Sequence, residues 1–194
     1  MSYVSFVISV IKDFKTKHSM ENVQLEKQAK LSEHFTLGEM TKTSTGMMNI
    51  PSRVSIENMK RVCGWLEALR ARYNLRYVSP SSDHPAHPGT PPNLGGEKDT
   101  EEPIIISSGY RSPEVNRKVG GSATSNHLTG CAVDIRVYGI EQAMRYAVIL
   151  MDYADETRQD YDELLIERNK GGRYWVHFAV RPKDNRRKTR FIDC

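Results

Sequence analysis

The sequence predicts an α+β fold in which helices flank a small central antiparallel sheet. Three observations carry this. Apolar residues recur at helical spacing through "IENMKRVCGWLEALRARYNL". Short runs with strand-like composition follow: "PIIIS", "CAVDIRV", "YDELLIER" and "YWVHFAV". The last two adjoin through "NKGG", a hairpin-like turn, so they pair antiparallel rather than through a helical crossover.

The elements follow in order. Residues 1–33 read as a helical or partly disordered lead-in, and residues 34–194 as one domain. In "SEHFTLGEMTKTSTGMMNIPS", Phe35, Leu37 and Met40 are scattered apolar anchors among turn residues. The first long helix carries Ile56, Met59, Val62, Cys63, Leu66 and Leu69 on one face, with Ser55 as its expected N-cap. Residues 79–102 are rich in Pro, Gly, Ser and charge, and read as a long surface loop. Its "HPAHP" is a poor metal site, because a mobile loop holds ligands loosely. A buried strand, Pro103 to Ser107, leads into a turn. Ser112 then caps a short helix, Pro113 takes its first position, and Gly120 and Gly121 end it. After the "CAVDIRV" strand comes the helix "IEQAMRYAVILMDYA", with Met144, Ala147, Val148 and Met151 expected on one side. The end, "RPKDNRRKTRFIDC", reads as a basic tail.

Composition narrows the function classes. A chain of 194 residues can bury a real core. A net charge of +4, without any nucleic-acid recognition motif, argues against a nucleic-acid partner. The three cysteines, Cys63, Cys131 and Cys194, form no CxxC pair, which excludes a cysteine zinc knuckle and argues against a disulfide framework. The opening "MSYVSFVISVIKDFK" is too short to span a bilayer and no basic residue precedes its apolar run. No signal peptide and no stable membrane insertion are expected. Met20 offers an alternative start to Met1.

Ionisable residues on the strands raise the chemical question. Asp134 shares a strand face with Ala132 and Arg136, and His177 shares one with Trp175 and Ala179. Glu167 shares a face with Leu165. A carboxylate on a packed strand needs a partner. Asp134 can pair with Arg136 or Arg111, or it can join His177 and His127, seven residues upstream, around a metal. Two histidines and a carboxylate suit catalytic zinc, with a fourth position left for water and Glu167 as a nearby base. HExxH is absent. Arg111 follows a strand and precedes a capped helix, where a guanidinium can grip a carboxylate or form a structural salt bridge.

"SGYRSPEVNRKVGGSATSNHLTGCAVDI" followed by "WVHF" resembles the zinc D-alanyl-D-alanine carboxypeptidase family, with its phage endolysin-type peptidoglycan endopeptidases, vancomycin-resistance dipeptidases and hedgehog signalling domain. "HFTLGEM" and "NIPS" resemble it too, and the resemblance runs from about Phe35 to Arg187. It implies the hedgehog/DD-peptidase fold and one zinc ion per chain, held by His127, Asp134 and His177. It implies substrate roles for Arg111, Ser125 and Trp175, a catalytic role for Arg111, and Gly130 as a tight turn between ligand and strand. Dipeptidase-like relatives place their glutamate three residues before the last ligand, where this chain has Tyr174. Hedgehog-like members place one at the end of the preceding strand, which Glu167 resembles. The implied activity is hydrolysis of peptidoglycan stem peptides, as a D-alanyl-D-alanine carboxypeptidase or a cross-link endopeptidase. The expected setting is a monomer made in the bacterial cytoplasm and acting at the cell wall or periplasm, as a phage or prophage lysin does. The rival reading is an inactive zinc-binding domain of the same fold that binds cell wall or serves a phage structure.

Overall fold

The computed structural model describes residues 27–78 and 101–194. Most of the expected lead-in and of the expected 79–102 loop lie outside these residues. The elements are α1 (Leu37–Met40), α2 (Arg53–Tyr73), β1 (Ile106–Ser108), α3 (Pro113–Lys118), β2 (Ala132–Arg136), α4 (Ile140–Thr157), β3 (Glu163–Arg168), β4 (Tyr174–Ala179) and β5 (Lys188–Asp193). Among the described residues, no helix is long and apolar enough to cross a membrane. The described chain falls into two compact units. One takes residues up to Cys63 with Ser108–Val133, the other Gly64–Ser107 with Asp134–Cys194.

In the first unit, short polar segments are tied to one turn. Thr36 and Glu39 form a capping box that starts α1. The Met40 carbonyl then accepts the Tyr110 amide at 2.7 Å. The Asn49 side-chain amide donates to the Thr41 and Tyr110 carbonyls, both at 2.8 Å, while its oxygen accepts the Ser112 amide at 2.7 Å. One asparagine therefore fixes the entry to α3. Ser112 caps that helix by accepting from Val115, with Pro113 at its first position, as expected.

The second unit holds most of the five-stranded sheet, ordered β1-β2-β4-β3-β5. β3 and β4 form the expected antiparallel hairpin, with Leu165 opposite His177 and Glu167 opposite Trp175. Its turn is closed by Gly172 donating to Asn169 at 2.9 Å. One face of the hairpin is core: Leu164, Ile166, Val176 and Phe178 are buried, and α4 packs on both strands. Trp65 meets Tyr153 edge-on at 4.9 Å and lies 5.4 Å from Phe178, joining α2 and α4 to that face. Residues of the opposite parity, Glu163, Leu165 and Glu167 with Trp175 and His177, occupy the other face.

Three expectations are corrected. The sheet is not purely antiparallel, because the basic tail contains β5, which pairs parallel with β3. β5 is a mostly exposed edge strand held by ladder hydrogen bonds, so it shows no apolar alternation, and its charges suit an edge. The α4 core face is Ala143, Tyr146, Ala147, Leu150 and Ala154, while Met144 and Val148 are exposed. Tyr146 fills the stripe in place of the methionines, and its hydroxyl receives a hydrogen bond from Gln142 at 3.2 Å. Finally, α2 begins at Arg53, two residues before Ser55. Ser52 accepts from the Ser55 amide at 3.1 Å and makes the cap.

Asp162 anchors the strand the sequence hides. It is fully buried, and Arg181 and Arg186 reach it at 2.9 and 2.7 Å. Its carbonyl accepts the Lys188 amide that opens β5, at 3.0 Å. Removing the carboxylate takes away the partner that the two guanidinium groups share. Asp162→Ala is expected to lower unfolding free energy by about 2–4 kcal/mol, the lower end reflecting arginines that still reach water. Urea denaturation checks this; a loss below about 0.5 kcal/mol would show that the clamp is idle.

Candidate metal centre

His127 sits in a short 3-10 turn, Asn126–Thr129, between α3 and β2. Ser125 starts the turn by accepting the His127 amide at 3.3 Å, so its hydroxyl is a capping group for the turn that carries His127. Gly130 ends it with φ of 75°, and a Cβ there would lie 2.6 Å from the Ser55 carbonyl. Only glycine fits on both counts, so the tight turn expected here is present. Asn58 donates to the Thr129 carbonyl at 2.9 Å and steadies the turn from α2.

The His127 ring is oriented by backbone. Its Nδ1 lies 2.6 Å from the Gly109 carbonyl, which can only accept, so Nδ1 carries a proton and Nε2 of the neutral ring is the nitrogen available to a metal. Gly109 lies against α1: an added Cβ would come 2.3 Å from the Met40 carbonyl. The next two residues, Tyr110 and Arg111, hydrogen-bond back to Met40 and to the His127 carbonyl. The Arg111 guanidinium is held by the Ser108 hydroxyl at 2.9 Å. The "SGYR" turn therefore orients His127 and Arg111 together.

Asp134 and His177 lie on neighbouring strands, β2 and β4, both buried. His177 Nδ1 is 2.9 Å from Asp134 Oδ1, and its Nε2 is 3.6 Å from Glu163 Oε2. Burial alone would lower the His177 pKa. The hydrogen bond to Asp134 and the Glu163 carboxylate at 3.6 Å, with the field of Glu167 added, outweigh burial and raise it to about 9. Two carboxylates have made this a place for positive charge. The Glu163 carboxyl is held well below the usual range, first by His177 and then, against its own burial, by Lys188 at 2.9 Å.

His127, Asp134 and His177 each offer a ligand atom, and these atoms lie within 4.8 Å of one another. Zinc takes imidazole nitrogen and carboxylate oxygen at about 2.0–2.2 Å, which are the donor types these three residues offer. The donor set fits: two imidazoles, one of known tautomer, and a carboxylate. The outer contacts fit as well, since metal-ligating histidines usually donate their other nitrogen to a carbonyl or carboxylate. Gly109 serves His127 in this way, and Glu163 lies beside His177.

Residues 96–162 match the family model of Peptidase M15. The matched model is that of the M15 zinc D-alanyl-D-alanine carboxypeptidase family, to which this part of the chain is similar. The match contains Arg111, Ser125, His127 and Asp134, and ends before the hairpin that carries His177. No curated protein matches the chain significantly.

The hairpin sharpens two other expected positions. Tyr174 is three residues before His177, so strand alternation sends it to the opposite face, and its register partner is Arg168. It does not occupy the place of a base beside the histidine. Trp175 and Glu167 are opposite one another on the His177 face. Sequence reasoning missed Glu163. Its strand parity with Glu167 could have found it, but only β5 pairing brings Lys188 beside it.

Two substitutions probe this geometry. Gly109→Ala forces α1 away from the turn and is expected to cost about 1–3 kcal/mol in stability. It is also expected to weaken zinc binding by roughly 10-fold or more, because the His127 acceptor moves. Thermal melts and chelator competition read the two effects; wild-type values in both would contradict the close packing. His127→Ala or Asp134→Ala is expected to strip most zinc, measured by metal analysis after dialysis. Near-full occupancy in both variants would remove this ligand set.

Proposed function

We propose that the protein is a zinc peptidase of the hedgehog/DD-peptidase fold that cleaves the peptide stems of peptidoglycan. The observation that carries the reading is the buried His127, Asp134 and His177 cluster, two members of which fall in the Peptidase M15 match. Bound zinc would polarise the scissile carbonyl and bring the pKa of a water toward about 7. The remaining work falls to side chains. Glu167 takes a proton from the attacking water and returns it to the leaving amine. Arg111, braced by Ser108, grips a substrate carboxylate or the developing oxyanion. Trp175 offers a half-buried ring for the substrate to lie against.

Glu167 is preferred to Glu163 as the base for a physical reason. Lys188 and Arg186 lie 2.9 and 3.1 Å from Glu163 and hold it ionised, which makes it a weak proton acceptor. Its position beside His177 suits an orienting role. Glu167 shares the His177 face and acts on His177 through its charge. The scissile bond is D-alanyl-D-alanine or a stem cross-link. The substrate is the peptidoglycan peptide, with no nucleic-acid partner, and the chain acts as a monomer at the cell wall in the manner of a phage lysin.

Incubation of the zinc-loaded protein with muropeptides, followed by mass spectrometry, is expected to release D-alanine or cross-link fragments. Glu167→Ala should reduce that rate by about 10²–10⁴-fold with zinc retained. Full zinc occupancy without any cleavage would replace this reading with the non-hydrolytic cell-wall-binding one. Arg111→Lys should impair turnover while leaving the melting temperature within a few degrees, since lysine lacks the planar fork. A large fall in melting temperature would make Arg111 a structural residue instead.

A further inference from the structure

The second unit contains a cleft of about 780 Å³ along the end of β2 and β4. Its lining includes Ser107, Arg136, Tyr138, Arg173 and Trp175. Two features set it apart. The Arg136 guanidinium lies 5.5 Å from the centre of the Tyr138 ring, and that ring is 73% exposed. An exposed tyrosine holds an exposed arginine at the cleft, a cation–π arrangement that limits where the guanidinium can go. Further, among the described residues neither Arg136 nor Arg173 forms an ion pair. Arg72, Arg145, Arg168, Arg181, Arg186 and Arg187 all hold a carboxylate. Many arginines among the described residues already hold a carboxylate, whereas the two at the cleft do not and are placed to meet an anion from outside.

Strand register places the cleft relative to the chemistry. Arg136 stands two residues beyond Asp134 on β2, and Trp175 two residues before His177 on β4. Each pair shares a strand face, and two residues along a strand span about 7 Å. A peptide with its scissile bond beside Asp134 and His177 would therefore extend one or two residues into the cleft. There it would meet an aromatic face and two guanidinium groups. Guanidinium favours carboxylate, which it can hold through paired N–H donors.

We propose that this cleft is a carboxylate-binding subsite and that the preferred substrate is an acidic peptide whose carboxylate, one or two residues from the scissile bond, is held by Arg136 and Arg173. The substrate role rests on the peptidase reading above; the carboxylate site itself does not. The carboxylate can belong to an acidic residue within the stem or to a chain terminus.

The test uses the full-length zinc-loaded protein and its Arg136→Gln/Arg173→Gln double variant. Calorimetry compares a stem tripeptide with free carboxylates, the same peptide amidated only at its C-terminus, and a fully amidated form. The free form is expected to bind wild type roughly 10-fold or more tightly than the fully amidated form, as loss of one charge-assisted contact would give. The double variant should lose most of that preference, any remainder lying with Arg111, with zinc content and melting temperature as in wild type. The singly amidated peptide assigns the carboxylate: weak binding places the terminus in the cleft, tight binding an internal acidic residue. In turnover of muropeptides, the double substitution should raise KM more than it lowers kcat. Equal affinity of wild type for the free and fully amidated peptides overturns the subsite, and so does a preference undiminished in the double variant. If muropeptides are cleaved while either result holds, the subsite fails and the peptidase stands. If carboxylate preference is present but nothing is cleaved, the subsite stands and the peptidase fails.

Discussion

A carboxylate removed from water must be met by positive charge, and the placement of Asp134 makes that the central constraint on this protein. Asp134 lies in a strand between Val133 and Ile135, both fully buried. His177 meets it at 2.9 Å, and Glu163 approaches the same imidazole from the other side. Two carboxylates around one ring raise its proton affinity despite burial. A proton there and a metal ion answer the same electrostatic need. The similarity to Peptidase M15 and the geometry thus point the same way on physical grounds, because the candidate ligand set is also an arrangement that favours a cation.

Glycine and backbone carbonyls do much of the positioning. Gly109 and Gly130 bracket the region in sequence, and each stands where a Cβ would collide with backbone. The Gly109 carbonyl sets the His127 tautomer, while the neighbouring amides bind Met40 and His127. This explains why "HFTLGEM" and "NIPS", which carry no chemistry, accompany the "SGYR" turn. Met40 and Asn49 are the supports of that turn. The packing is backbone against backbone, which leaves less slack than side-chain packing would.

The hairpin divides its labour by parity. Even-numbered Leu164, Ile166, Val176 and Phe178 make core, and odd-numbered Glu163, Glu167, Trp175 and His177 share the opposite face. The two glutamates differ through the third strand. β5 brings Lys188 opposite Glu163 and Ile192 opposite Glu167. One carboxylate is thereby held charged beside His177, and the other keeps a different environment on the same face. Residues that read as a basic tail thus set the surroundings of two glutamates.

The sequence alone determined what depends on local periodicity and short-range chemistry. The α2 stripe, the Ser112 cap with Pro113, the Asn169–Gly172 hairpin and the His127, Gly130, Asp134 spacing were all legible, because each is decided within a few residues. Strand parity put His177 among the candidate partners of Asp134, and the resemblance singled out the trio. Tertiary structure decided what depends on distant partners. β5 was hidden because an edge strand needs ladder bonds rather than apolar alternation. The α4 face was misjudged because Tyr146 could be buried only with Gln142 at its hydroxyl, which no count of apolar residues shows. Glu163 was passed over because its meaning comes from Lys188, 25 residues away, and from His177 on the paired strand. Ligand types are local facts of a chain, whereas their tautomers, charges and supporting partners are set by whatever the fold brings beside them.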